Sequence, residues 1–195
     1  MHHPTKYDPD HIPHNELGRG NMFRIDATKP AGFWLRVGAL VVDFVVLLPV
    51  YILTLFLPGV VLYLILSIAT MLYKPVMEGI FGASVGKFAL GLRVMDAEGG
   101  VVGVPTAVLR NLFYILPAVP GLVIGVHLKE AGLNPFDFSR AEEIAEIMER
   151  YQTANLLFYV LCVLWVVTVL WVAFHPRKRG LHDLLAQTFV GERKK

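Results

Sequence analysis

The sequence predicts an all-α integral membrane protein with four transmembrane helices, three being the alternative, a small cytoplasmic β-hairpin and an amphipathic surface helix. Three observations carry that prediction. Hydrophobic residues are 55% of the chain and charged residues 17%, a composition foreign to water-soluble domains. Uncharged runs recur that are long enough for a helix to cross a ~30 Å hydrocarbon core. Lysines and arginines concentrate in alternate connecting segments, as expected of a chain that re-crosses a membrane. With 195 residues, there is room for about four spans of ~20 residues and for no large soluble domain. The net charge of +2 gives no reason to expect a nucleic-acid partner. Cys162 is the lone cysteine, so no intramolecular disulfide exists and the residue reads as a small apolar side chain.

Residues 1–30 form a polar segment read as a mobile tail. It holds His2, His3, His11 and His14 among Pro4, Pro9 and Pro13. Prolines disfavour regular helical ligand spacing, and no metal site or cofactor is expected. No charged start precedes a short apolar core with a small-residue cleavage site, so the first span is expected to be its own anchor.

That first span, about 33–57, carries Arg36 and Asp43 inside an apolar run. A charge at membrane depth costs roughly 2.5–3.5 kcal/mol on insertion scales, so both should face protein and have partners. Seven residues apart, they share one helix face but stand about 10 Å apart along the axis, so a polar seam is expected rather than a direct bond. Phe44 to Tyr73 is free of charge; as one helix it would be ~45 Å long and overshoot the bilayer. Pro58-Gly59 offers the turn, which makes the second span about 59–80. Asp43 lies fifteen residues before Pro58 and Lys74 sixteen after it, at similar depth. Lys74 is therefore a candidate counter-ion for Asp43, or else it snorkels to the interface, helped by a break at Pro75.

Gly82 to Lys87 has the look of a phosphate loop, but only three residues separate its glycines and Phe88 stands where a magnesium-binding hydroxyl is needed; it is not read as one. Leu92 to Val102 alternates around a glycine turn and reads as a β-hairpin at the membrane surface. The third span, about 108–128, opens with Arg110 and contains Pro117, Pro120, Gly121 and Gly125, features of a kinked or re-entrant segment. From Lys129 to Arg150 the chain is net acidic. Ser139 and Glu142 suggest a capping box, and Ile144, Ile147, Met148 and Tyr151 make one apolar stripe of an amphipathic helix on the membrane or the bundle. The last span, about 154–175, is followed by a short amphipathic turn at Leu181 to Gln187 and a basic tail, 191–195. With four spans and both termini on one side, fifteen of the eighteen lysines and arginines share that side, the cytoplasm by the charge rule.

Four blocks in order, AGFWLRVGALVVDF, SVGKFALGLRVMDAEGG, AVLRNLF and RGLHDLLAQTFV, resemble the RDD family of small polytopic membrane proteins over most of residues 31–190. On that resemblance Arg36, Asp43 and Asp183 match the naming residues, while Gly86, Lys87, Gly91, Arg110 and Thr188 match the accompanying pattern. Asp183 is expected to fold back onto Arg36 or Arg110, giving a charge-balanced cluster of Arg36, Arg110, Asp43 and Asp183. The resemblance implies an inner-membrane protein, and some members are linked to sodium–proton exchange. Two functional classes follow. One is ion or small-solute transport, such as cation–proton exchange, with Asp43 as the proton or cation site and Thr54, Ser67 and Thr70 as polar lining. The other is a non-catalytic accessory or scaffold for other membrane proteins. Enzyme chemistry is not expected, since neighbouring His182 and Asp183 lack a nucleophile or metal constellation. The expected partners are the lipid bilayer and a second copy or other membrane proteins.

Overall fold

The computed structural model describes residues 25–96, 99–176 and 178–193. The histidines of the N-terminal tail lie outside the described residues. Among the described residues four helices are long and apolar enough to cross a membrane: α1 (Phe33–Phe56), α2 (Val60–Phe81), α5 (Leu112–Glu130) and α7 (Gln152–Phe174). Shorter helices connect them: α3 (Val85–Ala89), α4 (Val104–Arg110), α6 (Ala141–Arg150) and α8 (Leu181–Leu185). Three strands, β1 (Ile25–Pro30), β2 (Leu92–Asp96) and β3 (Thr188–Arg193), complete the fold.

The spans are arranged inside out relative to a soluble bundle. On α1 the buried positions are Arg36, Ala39, Asp43 and Leu47; on α2 they are Thr70, Lys74, Pro75 and Glu78. Each set falls on one helical face. The opposite faces expose large apolar side chains such as Phe44, Val61 and Ile65, the surface a bilayer would cover. Pro58 and Gly59 make the expected turn between α1 and α2. The expected break at Pro75 does not occur, because α2 runs on through it to Phe81. The third span is one uninterrupted helix, α5, which runs through Pro117 and Pro120. Its start is also later than expected. Arg110 ends the separate helix α4, and Asn111 at φ −88°, ψ 10° divides α4 from α5.

At one end of the bundle lies an antiparallel sheet in the order β1-β3-β2. The glycine turn of the expected hairpin is present: Gly100 N–H donates to Asp96 Oδ1 at 2.7 Å and Met95 bridges Val101. The main partner of β2, however, is the C-terminal strand, with Val94 opposite Val190 and Asp96 opposite Thr188. Val94 and Val190 are fully buried and pack with Ala31, Ala39, Leu92 and Val102. Apolar burial against α1 therefore selects a distant partner over the local arm. Residues 191–193, read as tail, complete that strand.

At the other end, α6 lays Ile144, Ile147 and Met148 against Ile124, Leu128 and Leu133, so the amphipathic helix rests on the bundle. The expected capping box is not formed. Ser139 belongs to the turn before α6, where Asp137 accepts from Ser139 N–H at 3.1 Å and from Ser139 Oγ at 2.5 Å, and it is Arg140 that stands at the start of α6, with no side-chain cap. Tyr151 instead stacks on His127, ring centroids 4.0 Å apart.

Candidate functional site

Spans α1 and α2 together with the short helices α3, α4 and α8 bring seven charged side chains to one buried cluster at the sheet end. It begins at Asp43, 2% exposed. Gly86 N–H and Ser84 Oγ each donate to its carboxylate at 2.7 Å, Tyr73 OH donates at 3.0 Å, and Lys74 Nζ stands 3.8 Å away. Lys74 is thus the counter-ion anticipated from depth, held inside the bundle and not snorkelling; its ammonium also lies 5.1 Å from the centre of the Tyr114 ring, a cation–π distance. Gly86 reaches Asp43 because it has no side chain: a Cβ there would sit 2.0 Å from the Ala39 carbonyl oxygen. Ser84 caps α3, accepting from Lys87 N–H while donating to Asp43. Gly91 takes φ +67° and lets the chain leave α3 for β2. Each glycine of this block has a geometric task.

Arg36 and Asp43 do not meet. Arg36 Nη1 donates to Asp183 Oδ2 at 2.5 Å, its Nη2 to the Lys178 carbonyl at 2.7 Å and its Nε to the Ala31 carbonyl at 3.2 Å. Asp183, fully buried, folds back as expected, and onto both arginines. Arg110 Nη2 stands 2.9 Å from its Oδ1, an ion pair outside hydrogen-bond geometry, and Gly180 N–H donates to Oδ2 at 3.0 Å. Burial alone would raise the Asp183 carboxyl; Arg110 and then Arg36 outweigh it and hold the group well below the usual carboxylate range. His182 beside it is pushed down to about 4, by burial first and by the surrounding cations, against the pull of Asp183.

Sequence reasoning missed Glu78, which lies unremarked within the second span at about 59–80. It is 1% exposed and joins the two halves of the cluster. Lys87 Nζ donates to its Oε1, Asn111 Nδ2 donates to Oε2 at 3.0 Å, and Arg110 Nε lies 3.7 Å from Oε2. The signal was available: Glu78 follows Lys74 by four residues and so shares its helix face. Burial, then the Arg110 charge, lowers the Lys87 ammonium to about 8, although Glu78 opposes that shift. Lys74, Lys87 and Glu78 enlarge the expected set of Arg36, Arg110, Asp43 and Asp183 and shift its charge. Arg36, Lys74, Lys87 and Arg110 face Asp43, Glu78 and Asp183, one cation in excess.

A cavity of about 80 Å³ adjoins the cluster. Arg36, Lys74, Glu78, Lys87, Arg110 and His182 form the ionisable part of its wall, and mostly apolar side chains of α1, α5 and α7 form much of the rest. Asp43 and Asp183 do not line it. Nor do Thr54, Ser67 and Thr70; Thr54 and Thr70 hydroxyls donate to helix carbonyls of Val50 and Ser67. Thr188 is fully buried, with no hydrogen-bond partner for its hydroxyl among the described residues, and its carbonyl accepts from Arg179 Nε at 3.1 Å. Among the described residues no group of three or more metal-ligating side chains comes together.

No curated protein and no solved structure gives a significant match to the chain. The sequence profile of the RDD family matches residues 30–187, a stretch that contains both the Asp43 and the Asp183 halves of the cluster. The chain belongs to the RDD family of small membrane proteins.

Proposed function

We propose that the protein is a transporter of a small charged solute, with no enzymatic activity, residing in the inner membrane with both termini and Lys87 in the cytoplasm. The observation that carries the reading is the cavity walled by Lys74, Glu78, Lys87 and Arg110. Charges at membrane depth are expensive and mark solute or proton paths; a purely structural ion-pair network has no use for a chamber in its midst. The geometry moves attention from Asp43 to Glu78. Asp43 has three donors and a lysine around it and does not border the cavity. Glu78 does, in contact with Lys87, so solute occupancy and the charge of that pair are coupled. A second copy of a four-span chain would supply the rest of a pathway.

Proteoliposomes loaded with a pH-sensitive dye and pulsed with sodium, potassium, lithium or phosphate under an imposed proton gradient test the reading. Flux is expected in the wild type, absent in Glu78→Gln and retained in Asp43→Asn. Silence for every solute from folded, reconstituted protein counts against transport. The orientation is supported by the Lys/Arg bias and is tested separately. In a Cys162→Ala background, an impermeant reagent on intact cells should label a cysteine at position 140 but not one at 195.

The accessory reading keeps one observation of its own: Asp183 ties the C-terminal segment and its sheet to span α1 and to helix α4, which makes a rigid platform on one face. Crosslinking in native membranes separates the two, since a scaffold is recovered with a stoichiometric partner and a transporter with itself.

A further inference from the structure

The cavity beside the charge cluster has a chemical preference that follows from what surrounds it. Four cations and three carboxylates leave one positive charge in excess where water is scarce. Arg110 lines the cavity with its side chain 2% exposed, and its Nη1 has no hydrogen-bond partner among the described residues. A buried guanidinium donor left unpaired is uncommon and is the group a ligand oxygen would satisfy. Sodium or potassium is poorly served here. Such ions need several oxygen ligands, and the one carboxylate on the wall, Glu78, is already engaged by Lys87, Arg110 and Asn111.

We infer that this cavity binds one phosphate-type oxyanion, brought either by a phospholipid headgroup or as free phosphate. The inference deepens the transport reading by naming the chemistry of the solute, and it rests on that reading for the cavity being a solute site. Arginine and lysine donors converging on a confined space are the usual means of holding phosphate oxygens. The volume of about 80 Å³ exceeds what one water needs several-fold and accommodates a tetrahedral anion. A phosphodiester carries a single negative charge, matching the excess. The apolar remainder of the wall comes from α1, α5 and α7. Helix α1 scarcely touches α5 or α7, so the cavity borders a slot between spans that suits an acyl chain as well as a diffusing ion.

Full-length protein in neutral detergent is titrated calorimetrically with inorganic phosphate, and its retention of phosphatidylglycerol is read by native mass spectrometry. Saturable one-to-one binding of at least one probe is expected. Lys87→Gln removes the excess charge while Glu78 keeps Arg110 and Asn111; Val169→Phe fills the cavity without altering any charge. Each is expected to weaken binding at least tenfold; an unchanged melting temperature certifies the fold of Val169→Phe, while Lys87→Gln, which breaks a buried pair, is titrated as monodisperse protein well below its lowered melting temperature. Phosphate binding without lipid retention identifies the free anion as the source, and retained lipid displaced by phosphate identifies the headgroup. Saturable binding of neither probe, or binding that survives both variants, overturns the inference. Cation flux without phosphate binding would leave transport standing and this inference fallen; binding without any flux would do the reverse.

Discussion

At the sheet end of the bundle, charges are buried and joined across the chain; at the opposite end they are exposed and joined along a single helix. The sheet-end pairs link different helices: Arg36 to Asp183, Arg110 to Asp183, Lys74 to Asp43 and Lys87 to Glu78. At the far end, pairs such as Arg140–Glu143, Arg150–Glu146 and His127–Glu130 lie three or four residues apart and are at least partly open to solvent. What holds the far end is packing of α6 on α5, together with Lys129, whose ammonium donates to the Leu55 and Leu57 carbonyls at 2.7 and 3.1 Å and so caps the C-terminus of α1. The same residue types thus do different work. A buried pair is costly to break, because the survivor is left unpaired away from water. An exposed pair is backed up by water and worth little.

The largest expected effect follows from Asp183. Replacing it by Ala leaves Arg36 and Arg110 without their shared partner and frees the loop at Gly180. A loss of about 3–5 kcal/mol is expected, read as a fall of about 10 °C in melting temperature in detergent. Asp183→Asn, which keeps an acceptor but not the charge, should fall between wild type and Ala. If Asp183→Ala melts with the wild type, the contrast between the two ends is void.

Asp43 sharpens the contrast by separating charge from hydrogen bonding. Asp43→Leu strands Lys74 and also deprives Ser84, Gly86 and Tyr73 of their acceptor. Adding Lys74→Leu removes the orphaned cation, so the double variant should regain part of the loss but not all of it, by roughly 1–2 kcal/mol of coupling. Full additivity in the cycle would mean that the 3.8 Å pair contributes nothing.

The pH dependence should be carried by the same end. His182 titrates at about 4 in the fold against a usual 6.5, so between those values the unfolded chain holds a proton that the folded one does not. Stability is therefore full above pH 6.5 and declines as the pH falls towards 4, by about 3 kcal/mol over the window. His182→Gln should flatten that decline relative to wild type in melts between pH 4 and 7. An unchanged slope would show that His182 is not held neutral.

How much of this was legible in the sequence tracks the same division. The four spans, the Pro58-Gly59 turn and the pairing of Asp43 with Lys74 follow from run length and helical rise, which are local quantities. That Asp183 would return to the arginines came from its place near their side of the membrane, but that it takes both did not. Glu78 was passed over because a charge at the end of an apolar run resembles a boundary. The central place of β3 was illegible, since nothing within Thr188–Arg193 reveals that Val190 will pack on Val94 and Ala39. Span three was misjudged at its start for a related reason: Arg110 resembles the first residue of an apolar run, but burial against Glu78 and Asp183 makes it the end of α4.

The smallest expected effect lies at the far end and completes the comparison. Glu146 precedes Arg150 by four residues on α6 and stands 3.1 Å from its guanidinium, both side chains well exposed. This order suits the helix dipole, but water competes for both groups and holding two long side chains in one geometry costs entropy. Glu146→Ala should therefore shift the melting temperature by about 1 °C or less, and the shift should vanish in 1 M salt, where the screening length is only about 3 Å. Asp183→Ala should keep most of its penalty in that salt, because ions do not reach a fully buried carboxylate. A salt response shared by both variants would mean that the cluster is open to water and that the two ends differ in sequence separation alone.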